Sequence, residues 1–450
     1  MKTKKIKTKD NLFYIVFYNL FRTSFVLLYK TITVLGRENL PKGESYLITP
    51  SHQNSMMDAM AILFTFKSPH PFFLARADIF RKKLIGSMLG LLKMLPIYRI
   101  RDGKDSLQNN DAIFKKTVNV ISQGVPLTIY PEGNHEGYRR FRAVKKGVIR
   151  TAFMALESFP EGKKLYIIPT GIEYNVSYEK AMQNIVVFYG KPICVNDFWE
   201  LYQEDHARAE RQLQLEIFSR MSDQMIDIKT KDYYDFYDIV RESACGEVMI
   251  KKGVKRCPEQ KLYAQQEIIK GLDRSLAMDE KPFASLQEKA RVYQEKMKQS
   301  KLRNWLFDKA HYSKKQLFLE LILAIVTLPV AVYGRLTNGL QYAFVNMQAE
   351  KNKDPQWRSS VRYVMGFTFM PISHLILACA TFFLFDNGWS YLIAVISFII
   401  SGNLSLRYEV WVKKIMGRMR YNKLRRKPNA DFKEIVALRN EINGFVMKTI

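Results

Sequence analysis

Acidic residues are scarce in this chain: 43 Asp and Glu stand against 70 Lys and Arg, a formal net charge of +27 over 450 residues. Such an excess points to an anionic partner, and nucleic acid and anionic lipid are the two obvious candidates. The sequence lacks a zinc knuckle, a basic zipper and an RNA-recognition signature, and its bases are spread along the chain, so nucleic acid is not expected as a partner. Cysteine is scarce as well. Cys194, Cys245, Cys257 and Cys379 lie far apart and match no metal-ligand spacing, so they read as free thiols of a reducing compartment, with no metal site. A cleavable leader is not expected either. The start MKTKKIKTKD is basic, but Asn19 and Arg22 interrupt the apolar stretch behind it and no small-residue cleavage site follows. The segment is expected to be retained.

What is present divides the chain into five parts. Residues 1–36 contain NLFYIVFYNLFRTSFVLLYKTITVLG, rich in Phe, Tyr and Leu, which suggests a membrane-associating helix with one broad buried face; a core helix would look the same. Residues 37–196 alternate helical stretches with short β-type runs: SYLIT (45–49), VPLTIY (125–130), LYIIPTGIEY (165–174) and NIVVFYG (184–190). The pattern is α/β, and strands apolar almost throughout imply helices on both faces of the sheet. Residues 197–312 turn polar with helical period and read as an added helical segment. Its patch at Tyr233, Tyr234, Phe236 and Tyr237 is expected to serve packing.

Residues 313–408 form a membrane region and 409–450 a basic cytoplasmic tail. Between 364 and 385 the only ionisable side chains are those of His374 and Cys379, and the run is long enough for a bilayer, which needs about 20 residues. After a DNGW turn the chain runs apolar again from 389 to 404, so the pair reads as a transmembrane hairpin. The turn has no Lys or Arg, whereas Lys351, Lys353, Arg358 and Arg362 precede the pair and Lys413, Lys414, Arg418 and Arg420 follow it, which places both flanks inside. The stretch 317–334 is expected to be interfacial or re-entrant. Glu320 is costly in lipid, and Pro329 is expected to break the backbone ladder.

The chemistry is concentrated before residue 175. In TPSHQNSMMDAMAIL a β-type run delivers His52, and a helical stretch begins near Asp58; a histidine with a carboxylate is the minimal general-base pair. Taken alone, such a pair is more often a helix cap and a satisfied core histidine. Two further blocks strengthen it. MLPIYRIRDG ends a helix-like run with Arg99 and Arg101, and TIYPEGNHEGYRRFRAVKKGVIR carries Glu132 and Gly133 followed by Arg139, Arg140, Arg142, Lys145 and Lys146, groups suited to binding phosphate.

With the strand centred on Ile168-Pro169-Thr170-Gly171-Ile172, these blocks resemble, in order, the four motifs of the glycerophospholipid acyltransferases over residues 37–195. Two departures stand out. The dyad is His-x5-Asp where His-x4-Asp is usual, similar to some eukaryotic glycerol-3-phosphate acyltransferases, and this spacing requires His52 to sit in a loop before the helix. Asn134 and His135 replace the usual Thr and Arg, so Arg139 or Lys145 is expected to take over the phosphate contact; Lys93 stands where Gly is common.

The resemblance implies a mixed sheet flanked by helices and a catalytic pair of His52 and Asp58. It also implies substrate binding by Arg99, Arg101, Glu132, Gly133, Arg139 and Lys145. The donor would be acyl-CoA or acyl-ACP, the acceptor a glycerol phosphate or lysophospholipid, and no metal or organic cofactor is required. The catalytic domain would work on the cytoplasmic face of a membrane, held to an anionic surface by the basic excess. The five-residue spacer favours glycerol-3-phosphate as acceptor, while the prevalence of lysophosphatidate enzymes among single chains of this kind favours 1-acylglycerol-3-phosphate, which is preferred. A non-catalytic membrane-anchored scaffold on the same fold is the alternative from another class.

Overall fold

The computed structural model describes residues 12–66, 69–80, 86, 89–90, 92–98, 104–133, 137–174, 182–385 and 387–450. They divide into two units, one of residues 1–225 with 349–364 and the other of 226–348 with 365–450.

The first unit is built on a mixed sheet. Its strands are β1 (Thr31–Leu35), β2 (Ser45–Pro50), β3 (Phe72–Arg76), β4 (Met94–Ile97), β5 (Leu127–Thr128), β6 (Leu165–Tyr174), β7 (Asn184–Tyr189) and β8 (Ile193–Cys194). Their order is β1-β7-β6-β2-β5-β3-β4, with β8 beside β6. β7 and β8 run antiparallel to β6, and the other pairs are parallel.

Successive side chains of a strand point to opposite faces, and both faces are covered here. Ile48 and Ile168 bury against α1 (Leu12–Leu28) and α2 (Met56–Leu63) through Phe25, Met57 and Ile62. On the other face Leu47, Leu127 and Ile167 meet α3 (Lys104–Ser122), α4 (Lys146–Glu157) and α6 (His206–Ser222); α5 (Trp199–Glu204) adds Tyr202, which stacks on Phe153 at 4.0 Å. Helix α6 buries Ala209, Leu213, Ile217 and Met221 in this core, so the compact unit runs on to Met225.

Two local expectations are corrected. The N-terminal helix stops at Leu28: the β-branched run Thr31-Ile32-Thr33-Val34 finds a partner strand and pairs with Asn184–Val187. Met94–Ile97, expected within a helix-like run, pairs as β4 with Phe73–Arg76.

The second unit is helical. Helices α7 (Tyr234–Lys251), α8 (Pro258–Met278), α9 (Lys281–Gln299) and α13 (Ala430–Thr449) pack around Phe236, Tyr237, Ile268, Phe283, Tyr293 and Ile442, all nearly inaccessible. Phe283 meets Tyr233, Phe236, Tyr237 and Phe445 with ring centroids 5.4 to 6.5 Å apart, so the tyrosine-rich patch packs the bundle. Arg439 of α13 donates to the Ser243 carbonyl at 2.5 Å and to Glu247 at 3.0 Å, and Asn443 donates to Glu247 at 2.7 Å. The expected basic tail is thus partly a helix folded onto the bundle.

Among the described residues, three further helices are long and apolar enough to cross a membrane: α10 (Lys314–Glu350), α11 (Arg358–Phe385) and α12 (Gly388–Arg426). The sequence suggested two and a break at Pro329. Instead α10 is one helix of 37 residues running through Pro329. A proline removes only its own N–H and crowds one carbonyl, which a long apolar helix tolerates. Gly334 allows α10 and α12 to approach closely, since a Cβ there would lie 2.1 Å from the Ser401 carbonyl oxygen.

Candidate active site

Neighbouring parallel strands β5, β2 and β6 end on one side of the sheet, where ligands of α/β folds commonly bind. The chain after β2 brings His52 there, the chain after β5 brings Tyr130 to Gly133, and β6 ends at Tyr174. Ser51 ties two of these ends together: its N–H donates to the Thr170 carbonyl at 2.9 Å and its hydroxyl accepts from Ile172 N–H at 3.0 Å.

His52 sits in the loop before α2, and Asp58 lies in the first turn of that helix, fully buried. The turn between them is sharp. Ser55, the N-cap, has φ +47° and ψ −127°, backbone that L side chains rarely adopt and that tends to occur where a site dictates it. This turn accommodates the five-residue spacer.

The carboxylate of Asp58 reaches back as an N3 acid does in a capping box, but further. Its Oδ2 accepts from His52 Nδ1 at 2.9 Å, Gln53 N–H at 2.8 Å and Asn54 N–H at 2.7 Å. With Nδ1 bound to the carboxylate, Nε2 is the nitrogen through which the ring can take up a proton. The His52 side chain is 15% exposed while Asp58 is sealed off, so the imidazole is open to a ligand and its anchor is not. Tyr130 stacks on the His52 ring, centroids 4.1 Å apart, and burial holds its phenol well above the usual range.

Glu132 holds His52 from the other side: its Oε1 accepts from His52 N–H at 3.0 Å and its Oε2 from Arg142 Nε at 3.1 Å. Burial raises its carboxyl above the ordinary carboxylate range, against the lowering pull first of Arg142 and then of His52. Gly133 has φ +69°, and a Cβ there would meet the Lys145 side chain at 3.4 Å. Lys145 is exposed, caps the start of α4, and donates its N–H to the Pro131 carbonyl at 2.8 Å.

Arg139, which the sequence suggested as a phosphate contact alongside Lys145, is engaged inside the domain. It is 8% exposed, with one guanidinium nitrogen paired to Glu173 and another donating to the Tyr174 carbonyl at 3.0 Å. An arginine satisfied internally in this way holds the segment to the end of β6. Arg99, Arg101, Asn134 and His135 lie outside the described residues.

The roles of Arg142, Tyr130 and Tyr174 were not apparent from the sequence. Arg142 was grouped there with the phosphate-binding cations and not with Glu132, its partner in the structure. The available signal for the tyrosines was position, since Tyr130 immediately precedes Pro-Glu-Gly and Tyr174 closes the fourth block. Lys93, standing where Gly is common, has φ +60° and is buried, with its ammonium 5.0 Å from the Tyr14 ring centre and 5.5 Å from that of Phe72. The backbone there takes a glycine's conformation, and aromatic contacts hold the longer side chain.

Residues 31–173 match the family model described as acyltransferase. A curated 1-acyl-sn-glycerol-3-phosphate acyltransferase of Borreliella burgdorferi is 28% identical over 121 residues, 27% of this chain and 46% of the relative, so the chain spans about half the length of the curated relative it matches. The crystal structure of the 1-acyl-sn-glycerophosphate acyltransferase of Thermotoga maritima aligns with 44% of this chain and 77% of its own at 16% identity, with a TM-score of 0.31. Residues 31–173 thus carry an acyltransferase domain, and the chain is similar there to a glycerophospholipid acyltransferase.

Proposed function

We propose that this protein is a membrane-bound acyltransferase that moves a fatty acyl group from acyl-CoA or acyl-ACP to the hydroxyl of 1-acylglycerol-3-phosphate, with its catalytic domain on the cytoplasmic face. One observation carries the reading: in a domain of the acyltransferase family, a partly exposed His52 is fixed through Nδ1 by the buried carboxylate of Asp58. His52 Nε2 takes the acceptor proton as the oxygen attacks the thioester carbonyl, and collapse of the tetrahedral intermediate expels the thiolate, which takes a proton. Asp58 stabilises the imidazolium between those steps. Lys145, Gly133 and the start of α4 offer a cation and helix N–H groups for the phosphate end, and Glu132 with Arg142 keeps the His52 loop in place.

Membrane binding draws on both units. Helix α1 packs Tyr14 and Phe25 inward while leaving Leu12, Phe13, Val16 and Leu20 exposed, an apolar face suited to lipid. In the second unit α13 packs on α7, α8 and α9, so residues 226–313 and 427–450 lie on one side of a membrane. The chain between them must then cross an even number of times. The hairpin of α11 and α12 supplies two crossings, and α10 lies along the interface, with Glu320 paired to Arg418 in the basic half of α12.

The test is an assay of membranes containing the protein with labelled acyl thioester, offering glycerol-3-phosphate and lysophosphatidate side by side. Transfer to lysophosphatidate that falls roughly 10²- to 10⁴-fold in His52→Ala is the expected result. Transfer confined to glycerol-3-phosphate would replace the acceptor. No His52-dependent transfer to either acceptor, from either type of donor, would overturn the reading.

A further inference from the structure

Asp58 accepts four hydrogen bonds, and they are divided unevenly. Three of them, from His52 Nδ1, Gln53 N–H and Asn54 N–H, converge on Oδ2. Oδ1 accepts from the hydroxyl of Tyr174 at 2.6 Å. The three donors on Oδ2 all come from the loop that Asp58 itself anchors, so they cannot hold the carboxylate against rotation about its own bond. Tyr174 belongs to another element: it is the last residue of β6, itself 1% exposed, and its strand is fixed against β2 by the sheet register. The Asn54 side chain faces the phenols of both Tyr174 and Tyr29, the latter just past the end of α1 and also 1% exposed, and opposes the rise that burial and Asp58 impose on them. Amide, phenol and carboxylate thus form a sealed relay that ends on Asp58.

We propose that Tyr174, held by Asn54, is the positioning residue that sets the plane of the Asp58 carboxylate and through it the orientation of the His52 base. The proposal rests on the acyltransferase reading of His52. Burial and the nearby Asp58 carboxylate keep the Tyr174 phenol protonated, as a hydrogen-bond donor to a carboxylate has to be. Removing the hydroxyl leaves Oδ1 buried with one donor fewer, and the carboxylate is then free to turn toward the competing N–H groups of its loop. The imidazolium formed in the transition state loses its fixed counter-charge, while the groups proposed to bind the phosphate end of the acceptor are untouched. The loss therefore falls on kcat.

The experiment compares full-length wild type, Tyr174→Phe, Asp58→Asn and the double variant in the same membranes, with Asn54→Ala as an independent cut of the relay. Tyr174→Phe is expected to lower kcat about tenfold with KM within about twofold, which is the scale of one hydrogen bond to a charged group. In the Asp58→Asn background the same change should alter the rate by less than about twofold, because its effect passes through the carboxylate. Asn54→Ala should lower kcat in the same direction by a smaller factor, and it reports even where Tyr174→Phe fails to accumulate. A full tenfold loss from Tyr174→Phe on top of Asp58→Asn would overturn the inference, as would an unchanged kcat in both Tyr174→Phe and Asn54→Ala. Wild type active and His52-dependent with those outcomes sinks the inference alone; a wild type without His52-dependent transfer sinks the functional reading and the inference together.

Discussion

Glu132 is a carboxylate kept where burial works against its charge. Its native pKa lies above the value it takes in an unfolded chain, so between the two the native state binds more protons and stability falls as pH rises. The contribution is fully present below the unfolded value, about 4.3, and is lost as pH climbs through the native one. Glutamine cannot ionise and escapes that loss. Glu132→Gln is therefore expected to gain thermal stability relative to wild type as pH is raised from 4 to 8, read from the difference between their Tm values. Its kcat/KM should nevertheless fall, by roughly tenfold, because an amide matches the two donors of Arg142 and His52 less well than a carboxylate. A Glu132→Gln enzyme that kept full activity would show that the charge has no part in holding the His52 loop.

The basic segment from Arg139 to Lys146 reads in sequence as one cluster, but the fold divides it. Arg139 is turned inward onto Glu173 and the Tyr174 carbonyl, whereas Lys145 faces outward beside Gly133. Breaking a buried ion pair by removing one partner costs about 3–5 kcal/mol, so Arg139→Ala should lower the denaturation midpoint markedly. Lys145→Ala should leave that midpoint in place and raise KM for the phosphate-bearing acceptor several-fold; the reverse assignment of the two effects would refute this division.

The same contrast marks what the sequence could tell. His52 in a loop ahead of the helix followed from the six-residue step to Asp58, because spacing on a helix is a geometric constraint. The apolar runs at 45–49, 165–174 and 184–190 announced strands covered on both faces, found as β2, β6 and β7. Burial of Arg139 and convergence of Tyr130 and Tyr174 depend on which strands become neighbours, and local pattern does not carry that. The strand after Leu28 was obscured by the apolar helix before it, since periodicity alone cannot separate two adjoining apolar runs.

In the proposed membrane setting, packing constrains which segments cross the lipid more than hydropathy does. By length and composition α10, α11 and α12 all qualify. Three crossings would put α7, α8 and α9 on the opposite side of the bilayer from α13, yet Arg439 and Asn443 of α13 hydrogen-bond Ser243 and Glu247 of α7. An odd count is thereby incompatible with the bundle. Gly388 at the α11–α12 turn has open space around it, and Lys298 and Lys427 are exposed at the ends of α9 and α12. Replacing the native cysteines and introducing Gly388→Cys, Lys298→Cys or Lys427→Cys singly gives three reporters for a membrane-impermeant maleimide on oriented vesicles. Lys298→Cys and Lys427→Cys should label from the same side, and Gly388→Cys from the other. Labelling of all three from one side would make the hairpin a surface element, and opposite labelling of the first two would mean that α13 leaves the bundle when the protein enters a membrane.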